Sequence, residues 1–223
     1  YFQKNWFLYP NLKLFETIEK TIRQEYGTEA RIHDLGCGNG NLLKYLLQKG
    51  YHKIYGSDIV EQLIPGLEEQ ISFEKIDALD IEEKDSYEVV ISIANIEHLT
   101  DINGYMKKLR QFLVPGGMAI IYTINESALI YKIAKIMRKI GIGFAAKQLF
   151  DPHHINHLST HSLAQLAKKH DFDIISLQTM NYPLKSTDIF INSPLKRAVV
   201  LTAIFLTNLI SSFLKSEISQ LVF

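Results

Sequence analysis

Short apolar segments alternate with amphipathic ones along most of the chain, and this pattern predicts strands that are each followed by a helix. The strand-like segments lie at residues 31–35, 53–58, 72–76, 88–94, 117–124, 171–180 and 217–223. Between them, leucines and aromatic residues recur at helical spacing, for example over 42–47 and 105–113. The alternation is typical of a doubly wound α/β fold with helices on both faces of a mostly parallel sheet.

The first predicted strand runs directly into a glycine-rich turn. Residues 31–41 read Arg-Ile-His-Asp-Leu-Gly-Cys-Gly-Asn-Gly-Asn, and a helical segment begins immediately behind them. Alternating glycines permit positive φ angles and close approach of a ligand, while the start of the helix offers unpaired N–H groups. The junction therefore predicts a site for a nucleotide-like cofactor. The turn lacks the Gly-Lys-Ser/Thr of a P-loop and the third glycine of the dinucleotide motif, which disfavours ATP hydrolysis and NAD.

An acid follows at the end of the second predicted strand. Asp58 lies roughly 20 residues beyond the glycine turn, where folds of this class place a carboxylate for the ribose hydroxyls. Because a carboxylate repels phosphate, the pattern favours a ligand with a free ribose diol. The alternative is that Asp58 is a solvated acid at a strand end.

Five motifs in a fixed order cover roughly residues 30 to 125. They are Asp34-Leu35-Gly36-Cys37-Gly38-Asn39-Gly40, Asp58, Asp77-Ala78, Ile96-Glu97-His98-Leu99 and Leu113-Val114-Pro115-Gly116-Gly117. With these motifs the chain resembles the class I S-adenosylmethionine-dependent methyltransferases, in particular the small-molecule enzymes of the ubiquinone-biosynthesis type. The resemblance implies a Rossmann-like, seven-stranded sheet whose last two strands form an antiparallel hairpin. It also implies an enzyme that methylates a small-molecule acceptor and leaves S-adenosylhomocysteine.

The same resemblance implies eleven cofactor contacts near the ends of the first four strands. They are Asp34, Gly36, Cys37, Gly38, Gly40, Asp58, Ile59, Asp77, Ala78, Ile93 and Ala94. By resemblance, Asp34 helps to orient the methionine end beside the room that the glycines make. Asp58 is implied to bind the ribose hydroxyls, and Asp77 is implied to contact the adenine amino group. Ile93 and Ala94, at the end of the fourth strand, are implied to lie near the methylthio group.

A histidine-rich segment at residues 151–161 is the expected source of chemistry beyond the cofactor. The resemblance places a histidine-bearing loop here, and an imidazole can accept the proton of a hydroxyl during methyl transfer. His154 is therefore the first candidate catalytic residue and His153 the second, whereas His98 is expected to shape the border of the active site. The histidines of this segment could ligate zinc or nickel if they converged. Because no cysteine joins them and, among His153, His154 and His157, only His153 and His157 have helical His-x-x-x-His spacing, we predict no metal.

Three segments outside the cofactor half are expected to shape the acceptor site within one domain spanning residues 1–223. They are a helical lid at 1–30, an insertion at 126–161 with a basic helical face, and an apolar helix at 194–214 between the last two strands. The uncharged run at 198–213 covers about 16 residues, against roughly 20 for a membrane span. We expect a packed helix or a homodimer face there, with a peripheral membrane or lipid contact as the alternative. These apolar segments favour O-methylation of a hydrophobic or lipid-like molecule.

The charge balance bears on the kind of partner to expect, and the cysteine content bears on the cellular compartment. The 24 basic and 24 acidic side chains cancel, so we expect no nucleic-acid partner. The single cysteine, Cys37, cannot form an internal disulfide and fits a reducing, cytoplasmic compartment. Two other functions stay open: a non-catalytic subunit that binds the cofactor or its product, and an NAD or nucleotide-sugar enzyme on a related fold.

Overall fold

A computed structural model of the chain describes residues 12–141, 150, 152–181, 194–214, 217 and 219–223. Its strands are β1 (Ile32–Leu35), β2 (Ile54–Asp58), β3 (Ser72–Lys75), β4 (Tyr87–Ile93), β5 (Leu113–Ile124), β6 (Leu177–Met180) and β7 (Ser219–Val222). Its helices are α1 (Leu12–Tyr26), α2 (Asn41–Gln48), α3 (Ile102–Phe112), α4 (Leu129–Lys139), α5 (Thr160–Lys169) and α6 (Pro194–Phe213). A single 3₁₀ turn at Ile96–His98 follows β4 among these residues.

The strands form one seven-stranded sheet in the order β3-β2-β1-β4-β5-β7-β6. The first five strands pair in parallel, while β7 runs antiparallel to both β5 and β6. This topology confirms the predicted doubly wound, Rossmann-like fold with an antiparallel C-terminal hairpin. The chain order reverses at β1, which lies between β2 and β4, and folds of this class bind ligands at that point, beyond the carboxyl ends of the strands.

The sheet buries an apolar layer on each face. Alternate residues of β4 divide between the two layers, with Val89 and Ile91 in one and Val90 in the other, because successive strand side chains point to opposite faces. On the first face, α1 and α2 supply Leu14, Ile18, Ile22, Leu42, Leu43 and Leu46. On the second face, α3 and α5 supply Tyr105, Met106, Leu109, Phe112, Leu163 and Ala167. Both faces of the sheet are thus covered by helices, as predicted.

Two strands begin elsewhere than predicted. β6 starts at Leu177 instead of 171, because Asp171 has a φ of 59° and the N–H of Phe172 donates back to the Ala167 carbonyl oxygen at 3.1 Å. β5 starts at Leu113 instead of 117. Its pairing with β4 is irregular at the position where we predicted that Pro115-Gly116-Gly117 would turn the chain into the strand. That segment is therefore a bulge within β5.

The described side chains of α6 are mostly exposed within the single chain, so the predicted packed helix or homodimer face stays a prediction. Phe205, Leu206, Leu209 and Ile210 are exposed, and Phe213 is 88% exposed, although Ser211 is buried. Among the described residues, no helix combines the length and hydropathy needed to cross a bilayer. The aromatic residues at 6–9 of the predicted lid, and residues 142–149 of the predicted insertion, lie outside the described residues.

Candidate active site

A cleft of about 600 Å³ opens at the carboxyl ends of β1, β2 and β4. Ten of the eleven residues predicted to contact the cofactor line it: Asp34, Gly36, Cys37, Gly38, Asp58, Ile59, Asp77, Ala78, Ile93 and Ala94. The exception is Gly40, which caps the start of α2 with a φ of 78°. A Cβ at Gly40 would also lie 2.4 Å from Leu67 Cδ2, so the positive φ and the close neighbour both favour glycine at this position.

The glycine turn is held against β2 and is open toward the cleft. The N–H groups of Gly36 and Cys37 both donate to the Ser57 carbonyl oxygen, at 2.8 and 3.0 Å. Gly38 has a φ of 56°, and a Cβ built on it would meet no atom within 4 Å. A side chain there would project into free space, so the glycine leaves room for a ligand.

Asp58 is tied to the turn by both carboxylate oxygens. Its Oδ2 accepts a hydrogen bond from the Gly38 N–H at 2.8 Å, and its Oδ1 accepts one from the Val60 N–H at 2.9 Å. Each oxygen keeps further lone-pair capacity, because a carboxylate offers about four acceptor sites. The backbone therefore orients Asp58 in the cleft while leaving it able to accept two hydroxyl groups.

Asp34 is a buried acid with unused hydrogen-bonding capacity. The residue is 3% exposed, and its Oδ1 has no hydrogen-bond partner among the described residues. Burial, reinforced by the negative charge of Asp58, raises the pKa of Asp34 to about 8. A buried acceptor without a partner is costly, so a donor supplied by a ligand would relieve it.

Cys37 packs beneath the turn. A Cβ at Gly56 would lie 3.1 Å from its Sγ, which shows how closely the thiol approaches β2. Burial, together with the charges of Asp34 and Asp58, raises the pKa of the Cys37 thiol far above its ordinary value. The thiol is therefore not an activated nucleophile, since nucleophilic cysteines have lowered pKa values.

The end of β4 closes the cleft on the other side, and there Asn95 is a residue that sequence reasoning missed. Asn95 lines the cleft, and its Nδ2 donates to the Leu35 carbonyl oxygen at 3.2 Å and to the Tyr105 hydroxyl at 3.0 Å. It follows Ala94, whose φ of 50° is unusual for a residue with a Cβ. A strained backbone at the end of a strand, directly beside a ligand cleft, is typical of a functional site.

The two candidate catalytic histidines, His154 and His153, meet His98 in different ways. His98 lines the cleft, and its ring lies 4.8 Å from the His154 ring, measured between centroids. The contribution of His153 here is its backbone carbonyl oxygen, which lies 3.0 Å from His98 Nδ1. The structure thus brings His154 to the cleft border beside a residue that we expected only to shape the loop.

The sheet order, the glycine turn and the two acids together define an α/β protein built to bind a nucleoside-containing ligand. A profile of the family described as a methyltransferase domain matches residues 12–177. The chain belongs to this family and is a class I S-adenosylmethionine-dependent methyltransferase by fold and sequence, which confirms the resemblance carried by the five motifs.

Alignments to curated relatives cover only part of the chain and part of each relative. The chain is 29% identical, over 148 residues, to the ubiquinone biosynthesis O-methyltransferase of Rickettsia bellii strain OSU 85-389. That alignment covers 63% of the chain and 61% of the relative. The chain therefore spans about three fifths of the length of several curated relatives that it matches.

Solved structures show the same fold at low identity. The S-adenosylmethionine-dependent methyltransferase of Mesorhizobium loti aligns over 98% of both chains, with a TM-score of 0.62 and 14% identity. The 1,6-didemethyltoxoflavin-N1-methyltransferase of Burkholderia thailandensis, solved with 1,6-didemethyltoxoflavin and S-adenosylhomocysteine, aligns over 78% of this chain and 73% of that one. Its TM-score is 0.57 at 16% identity. These likenesses concern the fold.

Proposed function

We propose that the protein transfers a methyl group from S-adenosylmethionine to a hydroxyl of a small hydrophobic or lipid-like acceptor. One observation carries the proposal: the cleft at the sheet edge presents an unpartnered buried acid, an oriented half-buried acid and a glycine that opens into free space. These three features suit a ligand with an ammonium group, a ribose diol and a bulky thioether or sulfonium centre.

The residues present fit the cofactor group by group. The Asp34 carboxylate receives the ammonium of the methionine part, because a cation is the partner that a buried acid most requires. Asp58 accepts the ribose hydroxyls, while Asp77 and Ala78, which line the cleft beyond β3, face the adenine. Ile93 and Ala94 border the methylthio end. When bound, the cofactor supplies an activated methyl group on a sulfonium centre.

The chain's contribution to transfer is alignment and assistance to proton loss. The acceptor oxygen forms a bond to the methyl carbon as the carbon–sulfur bond breaks, and the proton of the hydroxyl leaves, so the products are a methyl ether, S-adenosylhomocysteine and a proton. Alignment of two bound reactants lowers the barrier without further chemistry. His98 and His154, at the border of the cleft, are the side chains that we propose to promote loss of the proton.

Three observations favour a hydroxyl on an apolar acceptor. The R. bellii relative is named as an O-methyltransferase, and two imidazoles border the cleft where an attacking oxygen would release its proton. In addition, α4 and α6 are in contact and both present exposed apolar side chains. A surface of this kind suits an enzyme that receives a hydrophobic substrate.

Product binding provides the first test. S-adenosylhomocysteine at 100 times its Kd is expected to raise the melting temperature by about 5 to 10 °C, because ligand binding adds roughly 2.7 kcal/mol to stability. NAD and a nucleotide sugar at the same concentrations are expected to leave it unchanged. Stabilisation by NAD or the nucleotide sugar alone would refute the proposal, and binding without turnover of any hydrophobic hydroxylated acceptor would favour the non-catalytic subunit.

The exposed surface of α4 and α6 is proposed to contact an anionic membrane. Ile133 and Ile136 are exposed on α4 and Ile140 is exposed directly after it, near the exposed cations Lys132 and Arg138. Apolar side chains that enter the lipid interface beside cations that meet anionic headgroups are the two elements of peripheral binding. Such a surface would bring the enzyme to acceptors dissolved in the bilayer.

Vesicle sedimentation tests this surface. The protein is expected to sediment with vesicles that contain phosphatidylglycerol more than with pure phosphatidylcholine, and Phe213→Asp is expected to reduce sedimentation at least about tenfold, since a buried charge is costly in lipid. The matched control is Ile175→Asp, an exposed isoleucine before β6. A wild-type dimer that Phe213→Asp dissociates, with no vesicle binding, would instead assign the surface to a second copy of the chain.

A further inference from the structure

Three potential metal ligands converge at the border of the cleft. Glu97, His98 and His154 each place one ligand atom within 4.8 Å of the other two. The first two residues belong to the 3₁₀ turn after β4, and the third comes from the loop before α5, so residues 56 positions apart in sequence meet here. We infer that these three side chains bind a divalent transition-metal ion of the zinc type, an assignment that deepens the proposed function by giving the histidine pair a means to act on the acceptor.

The backbone around the cluster is held by several hydrogen bonds. The N–H groups of Ile155 and Asn156 both donate to the Glu97 carbonyl oxygen, at 2.8 and 2.9 Å. The Asn156 side chain donates to the carbonyl oxygens of Ile96 and Leu99, at 3.0 and 2.6 Å. The loop that carries His154 is therefore clamped to the turn that carries Glu97 and His98. A metal site requires this kind of support, because ligands must be held in place before the ion arrives.

The orientation of His98 is the one that metal-bound histidines adopt. Its Nδ1 lies 3.0 Å from the His153 carbonyl oxygen. Because a carbonyl oxygen can only accept, Nδ1 carries the hydrogen, and in the neutral ring Nε2 then keeps its lone pair. Ligating histidines almost always donate their second ring N–H to a carbonyl or carboxylate, which fixes the tautomer and orients the ring. The contact with His153 is thus a second, independent feature of a ligand site.

Glu97 supplies a carboxylate that needs a positive partner. The residue is 2% exposed, and its Oε2 accepts a hydrogen bond from the Thr123 hydroxyl at 2.7 Å. No lysine or arginine within the described ranges forms an ion pair with it. Buried carboxylates are ordinarily paired with a cation or bound to a metal. A bound divalent ion would provide that charge.

The ligand set selects the kind of ion. Two imidazoles and one carboxylate suit zinc and related transition metals, whereas magnesium and calcium prefer oxygen ligands alone. Zinc ligands at about 2.0–2.1 Å from the ion lie roughly 3.4 Å from one another in a tetrahedron, so modest inward rotation of the side chains would complete the shell. Three protein ligands leave one position open, which is the arrangement of catalytic rather than structural zinc.

The location gives the ion a function. His98 belongs both to the cluster and to the lining of the cofactor cleft, next to the end of β4 where the methyl group is proposed to lie. A cation there would withdraw electron density from the acceptor hydroxyl and make its proton easier to lose. This assistance would rest on Glu97, His98 and His154 together.

Metal binding by the untagged chain tests the inference. Chelator-stripped protein is expected to take up a single zinc ion per chain in competition with a coloured zinc chelator, with magnesium failing to displace it. His154→Ala and Glu97→Gln are each expected to weaken zinc binding by at least about 100-fold, because each removes one of three ligands. The matched control is His161→Ala, an exposed histidine at the start of α5, which should retain zinc. Cys37→Ser should also retain zinc, which excludes stray binding to the thiol.

Two outcomes would overturn the site: no zinc uptake by the wild type, or equal zinc binding by the wild type and both ligand variants. The stabilisation by S-adenosylhomocysteine is measured on the same preparations. His154→Ala should keep that stabilisation, because His154 does not line the cofactor cleft. Zinc failure with intact product binding would reject the metal site alone, whereas zinc binding without any product binding would reject the proposed function alone.

Discussion

Replacing Asp58 with alanine is expected to weaken S-adenosylhomocysteine binding by at least about 100-fold in calorimetry. The proposed role of this carboxylate is to accept both ribose hydroxyls, and hydrogen bonds to a charged acceptor are worth roughly 1.5–3 kcal/mol each. The carboxylate already accepts hydrogen bonds from the N–H groups of Gly38 and Val60, so it is oriented before the ligand arrives. Preorganisation of this kind reduces the entropy that binding must overcome.

The Asp58 side chain also braces the glycine turn, so a loss of affinity has two sources that must be separated. A ligand that lacks the ribose 2′-hydroxyl distinguishes them. The wild type is expected to bind this analogue more weakly than the product, whereas Asp58→Ala should bind both equally, because the hydroxyl has lost its partner. Asp80→Ala, the same change at an exposed acid after β3, is the matched control. Unchanged affinity in Asp58→Ala would contradict the assignment.

The cofactor half of the site was predictable from sequence because it is built from consecutive residues. A strand that ends in alternating glycines leaves the backbone few conformations, and the following strand ends must come to the same edge of a parallel sheet. Asp58 was therefore singled out from its spacing after the glycine turn, whereas Asp34 was added by the resemblance to the methyltransferase family. The lining of the cleft includes them both, together with the turn between them.

The other half could not be predicted in the same way, because it depends on contacts between distant segments. His154 was singled out for its chemistry, yet its neighbours Glu97 and His98 come from a turn that precedes it by more than 50 residues. Sequence reasoning considered a metal only among the clustered histidines at 153–157. The clamp by Asn156 depends on loop geometry, for which no local pattern exists.

Helix α6 shows a second limit of local reasoning. An uncharged run of apolar residues indicates a helix that needs an apolar environment, but does not identify which surface provides it. We expected the run to pack or to form a dimer face. The described part of the helix exposes Phe213 and its neighbours, which is compatible with a dimer face or a membrane contact but does not distinguish the two.

Binding of S-adenosylhomocysteine is expected to release about 0.9 of a proton at pH 7, because the folded, ligand-free protein holds Asp34 mostly neutral with a pKa of about 8. The ligand's ammonium favours the carboxylate and lowers that pKa, so the proton must leave on binding. The affinity should therefore rise close to tenfold between pH 6 and 7 and level off above about pH 8. Calorimetry in buffers of different ionisation enthalpy measures the released proton directly.

The release of a proton on binding distinguishes Asp34 from an ordinary exposed acid. An acid with a pKa near 4 would already be ionised at pH 6, so binding would release no proton and the affinity would not change with pH over this range. Asp34→Asn is expected to abolish proton release and to lower the affinity at pH 8 by on the order of 100-fold, because the ammonium then lacks an ionic partner. Glu69→Gln, at an exposed acid outside the cleft, should behave as the wild type. Proton release that persists in Asp34→Asn would show that another group loses the proton on binding. Loss of the proton release would support Asp34, the buried acid of β1, as the residue that recognises the charged end of the cofactor.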